Sequence, residues 1–206
     1  MTSQIGTVLE SGGRSATVSR STRETQIIVS LKLDGTGETK ISTGVGFYDH
    51  LLNSLAHHAL FDLEIEATGD LAIDEHHTVE DVALVLGAAL AAALGDRAGI
   101  VRFGDAAVPM DESRATAVLD VGGRPYAMID LPFKGKRAGK LPLQLIEHVF
   151  ESFARAGGLT LHIKGRGRND HHLAEAAFKA LGRSLRAACA IDPRRSGVPS
   201  TKGSLG

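Results

Sequence analysis

The chain has 206 residues, 43 % of them hydrophobic and 23 % charged, with a formal net charge of −1; these values suit one folded unit with a sizeable core. Near-zero charge offers no electrostatic basis for binding nucleic acid or an anionic membrane surface. A single cysteine, Cys189, excludes an intrachain disulfide framework and a thiolate-rich metal site.

No basic segment followed by an apolar one opens the chain, and the longest apolar run, from Val82 to Gly95, is shorter than the ~20 residues of a membrane span. The expectation is a cytoplasmic protein without a membrane partner. "TQIIVSLKLDGTGETKIST" is β-branched with period two around Gly35 and Gly37, which predicts a hairpin. "DHLLNSLAHHAL" places Leu51, Leu52, Leu55 and Ala59 at helical spacing. "DLEIEATGD" alternates apolar and acidic residues, as a half-buried strand does. A helix is expected from about Thr78 to Leu94, stopping at Gly95. The order then recurs: strands in "RATAVLDVGGRPYAMIDL", a helix in "LQLIEHVFESFARAGG", a strand in "LTLHIKGRG" and a helix in "HHLAEAAFKALGRSLRAAC".

The recurrence extends to single residues. His76, His77, Glu80, Leu86, Gly87 and Leu90 have twins ninety-five residues on (76 to 171) in His171, His172, Glu175, Leu181, Gly182 and Leu185. Asp49-His50 matches Glu147-His148, and Ser54 matches Ser152. The reading is an internal duplication, two β-β-α-β-α halves of about 20–98 and 99–192 in one α+β domain spanning 1–206, with sheets packed against helices. Residues 193–206 form a C-terminal tail.

The repeated word is H-H-x-x-E. Six of nine histidines fall in the repeats: His50, His76, His77, His148, His171 and His172. Neutral imidazole and carboxylate are the ligand set of a borderline divalent metal. On a helix, positions three or four apart share a face while neighbours point about 100° apart. His76 or His77 therefore reaches an ion together with Glu80, but adjacent histidines should serve different ions or different subunits. Six His and two Glu divide into three His and one Glu for each of two metals, leaving coordination positions for substrate. A single such word is also what a capped helix start looks like; two copies in register, each with an upstream histidine on a helix, go beyond that. His57, His58 and His162 lack twins and read as surface or core residues. Cys189 reads as structural.

Other classes fit less well. A binuclear hydrolase generally bridges its metals with Asp, and no G-D-x-H word occurs here. A di-iron bundle presents Glu-x-x-His on long helices, the reverse of this order. A metal-storage shell would need no basic substrate residues.

Several further words, "GFYDHLLNSLAHHALFDL", "ATGDLAIDEHHTVEDVALVLG", "GIVRFGDAAVPMDE", "GGRPY", "GRNDHHLAEAAFKAL" and "PSTKG", run in order from about Arg20 to Gly203. On these the chain resembles the imidazoleglycerol-phosphate dehydratase family. Ala59 stands where that family often has Gly, and Asp170 where a small residue is usual; neither is a presumed ligand. The resemblance implies a fold like ribosomal protein S5 domain 2. It also implies dehydration of imidazole-glycerol phosphate to imidazole-acetol phosphate in histidine biosynthesis. Two Mn2+ per active site and a homo-oligomer of 24 subunits with sites at subunit contacts are further implications. Carried over by motif, the metal ligands are His50, His76, His77, Glu80, His148, His171, His172 and Glu175. The substrate-binding set is Glu24, Arg102, Arg124, Lys179, Ser200, Thr201 and Lys202, together with His50, His76, His77, His171 and His172. Arg suits a phosphate by its planar fork and Lys by its point charge. Glu24 is the expected acid/base, with Glu80 and Glu175 as the catalytic metal-binding carboxylates. At this length the chain is expected to be monofunctional, without the phosphatase domain fused to some relatives.

Overall fold

A computed structural model describes residues 5–205. The first half runs β1 (Thr7–Gly12), β2 (Ser15–Ser21), β3 (Thr25–Lys32), β4 (Thr39–Ser42), α1 (Gly46–Ala59), β5 (Asp62–Gly69) and α2 (His76–Leu94). The second runs β6 (Phe103–Met110), β7 (Ser113–Asp120), β8 (Tyr126–Asp130), the two-residue strands β9 (Arg137–Ala138) and β10 (Leu141–Pro142), α3 (Gln144–Gly157), β11 (Thr160–Arg166) and α4 (Asp170–Cys189). One sheet has the order β1-β2-β3-β5-β4 and the other β6-β7-β11-β8. Without β1, the two sheets share one topology. In each, the third strand of the half runs parallel to the last, β4 to β5 and β8 to β11, and the remaining pairs are antiparallel.

Alternation drives the strands. In β3, Thr25, Ile27, Val29 and Leu31 face the core, and in β11 Leu161, Ile163 and Gly165 do so. The inward faces are covered by the helices, α2 over β2 and β3 and α4 over β6 and β7, with α2 against α3 and α1 against α4. The buried apolar residues form one continuous core, in which Tyr48, Phe150 and Phe178 are fully buried. The rings of Phe150 and Phe178 lie 4.7 Å apart.

The repeated glycines have a packing reason. A Cβ on Gly87 would lie 2.6 Å from the Phe153 carbonyl oxygen of α3, and one on Gly182 would lie 2.4 Å from the Leu55 carbonyl oxygen of α1. Only glycine lets these helices approach so closely. That approach brings histidines of one half to the helices of the other.

Three expectations change. Around Gly35 and Gly37 there is no hairpin: β3 pairs with β2 and β5, while β4 lies beyond β5 and parallel to it. The intervening loop is pulled across the start of β5, because Thr36, Gly37 and Glu38 donate backbone N–H groups to Asp62 Oδ1 at 2.7, 3.2 and 3.2 Å. Apart from β1 and the two-residue β9 and β10, each half also has a further strand, giving β-β-β-α-β-α instead of β-β-α-β-α. The overlooked β2 and β6, "SATVSRS" and "FGDAAVPM", are short in large apolar residues and carry weak periodicity. The third concerns α2, which is long and apolar enough to cross a bilayer by length and composition alone. Its most apolar window is nevertheless 72 % buried inside the protein, which makes it a core helix. Cys189 is 1 % exposed, and burial pushes its thiol pKa up to about 12, so it is an inert packing residue.

Candidate metal centre

Both histidine pairs open a helix. At α4, the Asn169 side chain accepts N–H bonds from His171 and His172, and at α2 Asp74 accepts from the His76 N–H at 2.8 Å. Asn169 caps α4 and Asp74 takes the His76 N–H at the start of α2, so neither imidazole pair serves as the cap.

The helices sort the residues into two clusters. His50 of α1 meets His171 and Glu175 of α4, and His148 of α3 meets His76 and Glu80 of α2, with ligand atoms within 4.8 Å of one another in each group. In the first, His50 Nε2 lies 2.7 Å and His171 Nε2 3.0 Å from Glu175 Oε1. In the second, His148 Nε2 lies 3.3 Å from Glu80 Oε1 and His76 Nε2 lies 3.4 Å from Glu80 Oε2. Every cluster thus joins the two halves, and within each H-H-x-x-E word the first histidine faces the glutamate one turn on.

The second histidine of each pair joins neither cluster. His77 Nδ1 contacts Asp70 at 3.0 Å, with Glu24 at 3.8 Å. His172 Nδ1 contacts Glu112 at 2.9 Å, with Asp111 at 3.8 Å.

The electrostatics hold the carboxylates ionised. Burial raises the Glu175 pKa, but hydrogen bonds from His50 and Lys179 and the Lys179 charge outweigh it and bring it to about 2. Lys179 Nζ sits 2.7 Å from Glu175 Oε2. At Glu80, burial is likewise outweighed by His148, His76 and Arg155, so its pKa is lowered. The hydrogen bond to Asp70 raises the His77 pKa against desolvation.

These residues fit a divalent ion. Two imidazole nitrogens and one carboxylate converge in each group, a donor set for Mn, Fe, Co, Ni or Zn. His148 Nε2 is also buried and, although 3.3 Å from Glu80 Oε1, makes no well-aligned hydrogen bond among the described residues. Such a nitrogen is costly unless something coordinates it.

A separate pocket is lined by Arg102, Arg124, Ser200, Thr201 and Lys202. Arg102 is fixed by a bidentate pair to Asp120, Nε at 2.7 Å and NH2 at 2.9 Å, and its NH1 donates to the Pro199 carbonyl at 2.8 Å. That last bond ties the tail to β6. Arg124 is two-thirds exposed and only loosely paired to Asp120 at 3.9 Å. Lys179 lies with the first cluster, away from this pocket, and Glu24 lies beside His77. His162 is on the solvent face of β11, and His57 and His58 meet edge to face at the end of α1.

Sequence reasoning overlooked Asp70, Glu112, Asp120 and Arg155. Glu112 had one available signal: it directly precedes β7 as Glu24 directly precedes β3.

A family model described as imidazoleglycerol-phosphate dehydratase matches residues 43–185. A protein of that name from Methanoculleus marisnigri is 57 % identical over 93 % of this chain and 100 % of its own length. Among solved structures, the dehydratase from Staphylococcus aureus superposes with a TM-score of 0.79 at 35 % identity, covering 86 % of this chain and 99 % of that one. The Pyrococcus furiosus structure gives 0.78 at 37 % identity over 91 % and 99 %. The chain belongs to the imidazoleglycerol-phosphate dehydratase family of hydro-lyases.

Proposed function

We propose that this chain dehydrates imidazole-glycerol phosphate to imidazole-acetol phosphate in histidine biosynthesis, using two Mn2+ per active site. The observation that carries the reading is the pair of crossed His2Glu clusters in a chain of this family. Each cluster supplies two of the three histidines per ion that the doubled word provides, leaving His77 and His172 over. We assign those two to clusters of neighbouring copies, so that sites are built at subunit contacts of a homo-oligomer of 24. The assignment follows from adjacency: neighbours on a helix cannot grip one ion. The single domain keeps residues 193–206 as its substrate-binding tail, and the biosynthetic family and buried α2 favour a cytoplasmic location.

The proton to be lost lies on a carbon with no adjacent carbonyl, so the substrate's imidazole must act as the electron source. His50, His171 and Glu175, and His76, Glu80 and His148, would each hold a divalent ion, which would supply Lewis acidity favouring the imidazolate. Expulsion of the ring-adjacent hydroxyl from the imidazolate gives a diazafulvene-like intermediate. Glu24 then takes the proton of the neighbouring carbon, and the enol tautomerises to the ketone. Glu24 suits that part because it is 55 % exposed and its carboxylate accepts no hydrogen bond among the described residues. Arg102, Arg124, Ser200, Thr201 and Lys202 hold the phosphate by charge-assisted bonds. Lys179 keeps Glu175 ionised and remains the substrate-binding cation on the metal side.

The test is ketone formation from imidazole-glycerol phosphate, before and after chelation and after Mn2+ is returned. Activity lost and then restored supports the reading. Bound metal without turnover would shift it to storage or hydrolysis.

A further inference from the structure

Glu24 and Glu112 occupy the same place in the two halves. Each immediately precedes one of the equivalent strands β3 and β7, each is followed by a buried hydroxyl residue, Thr25 or Ser113, and each approaches the second histidine of a pair. Their surroundings differ. Glu24 stands 3.8 Å from His77 Nδ1, and its carboxylate accepts no hydrogen bond among the described residues. Glu112 is fixed: Oε1 accepts from the Ser113 hydroxyl at 2.7 Å and from the Asn169 and Arg168 N–H groups at 2.9 and 3.3 Å, and Oε2 faces His172 Nδ1 at 2.9 Å.

In the first half the fixed contact comes from another element. Asp70, directly after β5, meets His77 Nδ1 with both oxygens, at 3.0 and 3.2 Å. The position directly after the equivalent Gly167 carries no carboxylate but Arg168.

We propose that Asp70 and Glu112 are positioning residues that hold the Nδ1–H of His77 and His172 and so present each Nε2 to an ion in a neighbouring copy. A histidine whose one ring nitrogen donates to a carboxylate is fixed in tautomer and ring orientation and made a better ligand through the other. The duplication has divided the task unequally. Glu112 holds its histidine from the turn before β7; Asp70 has taken that task in the first half, which leaves Glu24 unbound for proton transfer. The inference rests on the shared-site reading above, in which His77 and His172 ligate in a second copy.

The experiment measures Mn2+ affinity by chelator competition, metal-driven assembly by light scattering, and thermal stability of the metal-free chain. Asp70→Ala should weaken Mn2+ binding about 10- to 100-fold, and Asp70→Asn, whose amide oxygen still accepts from Nδ1–H, should restore most of it. Glu112→Gln should weaken binding by a similar factor with the metal-free melting temperature unchanged. Its amide oxygen must keep accepting from Arg168 and Asn169, which turns the NH2 group toward His172 and moves the ring proton to Nε2. Wild-type Mn2+ affinity in Asp70→Ala and Glu112→Gln would overturn the proposal, as would weakening matched by an equal loss of metal-free stability. His172→Ala separates the two layers: if it leaves metal binding and assembly intact, the shared-site reading itself falls, whereas if it disturbs them and Glu112→Gln does not, only the positioning role falls.

Discussion

His148, on α3 of the second half, directs Nε2 to within 3.3 Å of Glu80, on α2 of the first. Each candidate ion site therefore depends on the packing of the two halves, and neither half can assemble one alone. His148→Ala should remove one of the two ions per chain and leave the other, because His50, His171 and Glu175 are untouched. Elemental analysis of the purified variant reads this directly; retention of both ions would place His148 outside the metal sites.

Acid should dismantle the first cluster in a definite window. The Glu175 pKa is about 2, below the ordinary 4.5, so its contribution to stability is full above about pH 4.5 and is lost as pH falls toward 2. In metal-free protein, Glu175→Gln should flatten the decline of melting temperature across that interval. An unchanged acid limb would mean that the Lys179 and His50 contacts contribute nothing to the fold. Metal binding should also weaken as pH falls, because an imidazole must be unprotonated to ligate an ion.

Arg124 is the exposed, loosely paired cation of the basic pocket, while Arg102 is braced by Asp120 and the tail. Losing a charge-assisted bond costs about 1.5–3 kcal/mol, so Arg124→Ala should reduce kcat/KM about 10- to 100-fold. Asp120→Asn should lower kcat/KM by loosening Arg102, with the metal content unchanged. Steady-state kinetics beside metal analysis checks both.

Glu24→Gln should abolish most turnover with both ions still bound, since the amide cannot take a proton. Near-normal turnover in a fully metallated variant would remove Glu24 from the chemistry.

Packing at the helix crossings is testable without substrate. Gly182→Ala gains about 1 kcal/mol of helix propensity, but its methyl meets the α1 backbone at 2.4 Å, and overpacking costs about 1–3 kcal/mol. The predicted net effect is a lower melting temperature, with first-cluster metal affinity falling alongside as His50 moves away from His171.

The duplication was legible because it is written in identical residues. The H-H-x-x-E words, the upstream histidines and the paired glycines Gly87 and Gly182 keep register, and from them followed the two halves, the helix order and the division of His and Glu into two groups. What escaped lacks a twin or lacks apolar mass. β2 and β6 carry few large apolar residues, so backbone pairing decides their conformation. The order β3-β5-β4 depends on Asp62 gathering three backbone N–H groups, a long-range contact that looks locally like a hairpin turn. Asp70 and Asp120 act from loop and strand ends that do not repeat, and Glu112 repeats Glu24 at a spacing different from that of the histidine words.

The claim that matters most is that a site is completed between copies. One chain carrying His77→Ala with His172→Ala, and another carrying His50→Ala with His148→Ala, should each be inactive alone. Mixed in equal amounts metal-free and reassembled with Mn2+, they should regain ketone formation at up to about a quarter of sites, the chance that an intact cluster meets an intact donor. Recovered activity is the result this account predicts; mixed oligomers that form and stay inactive would contradict it.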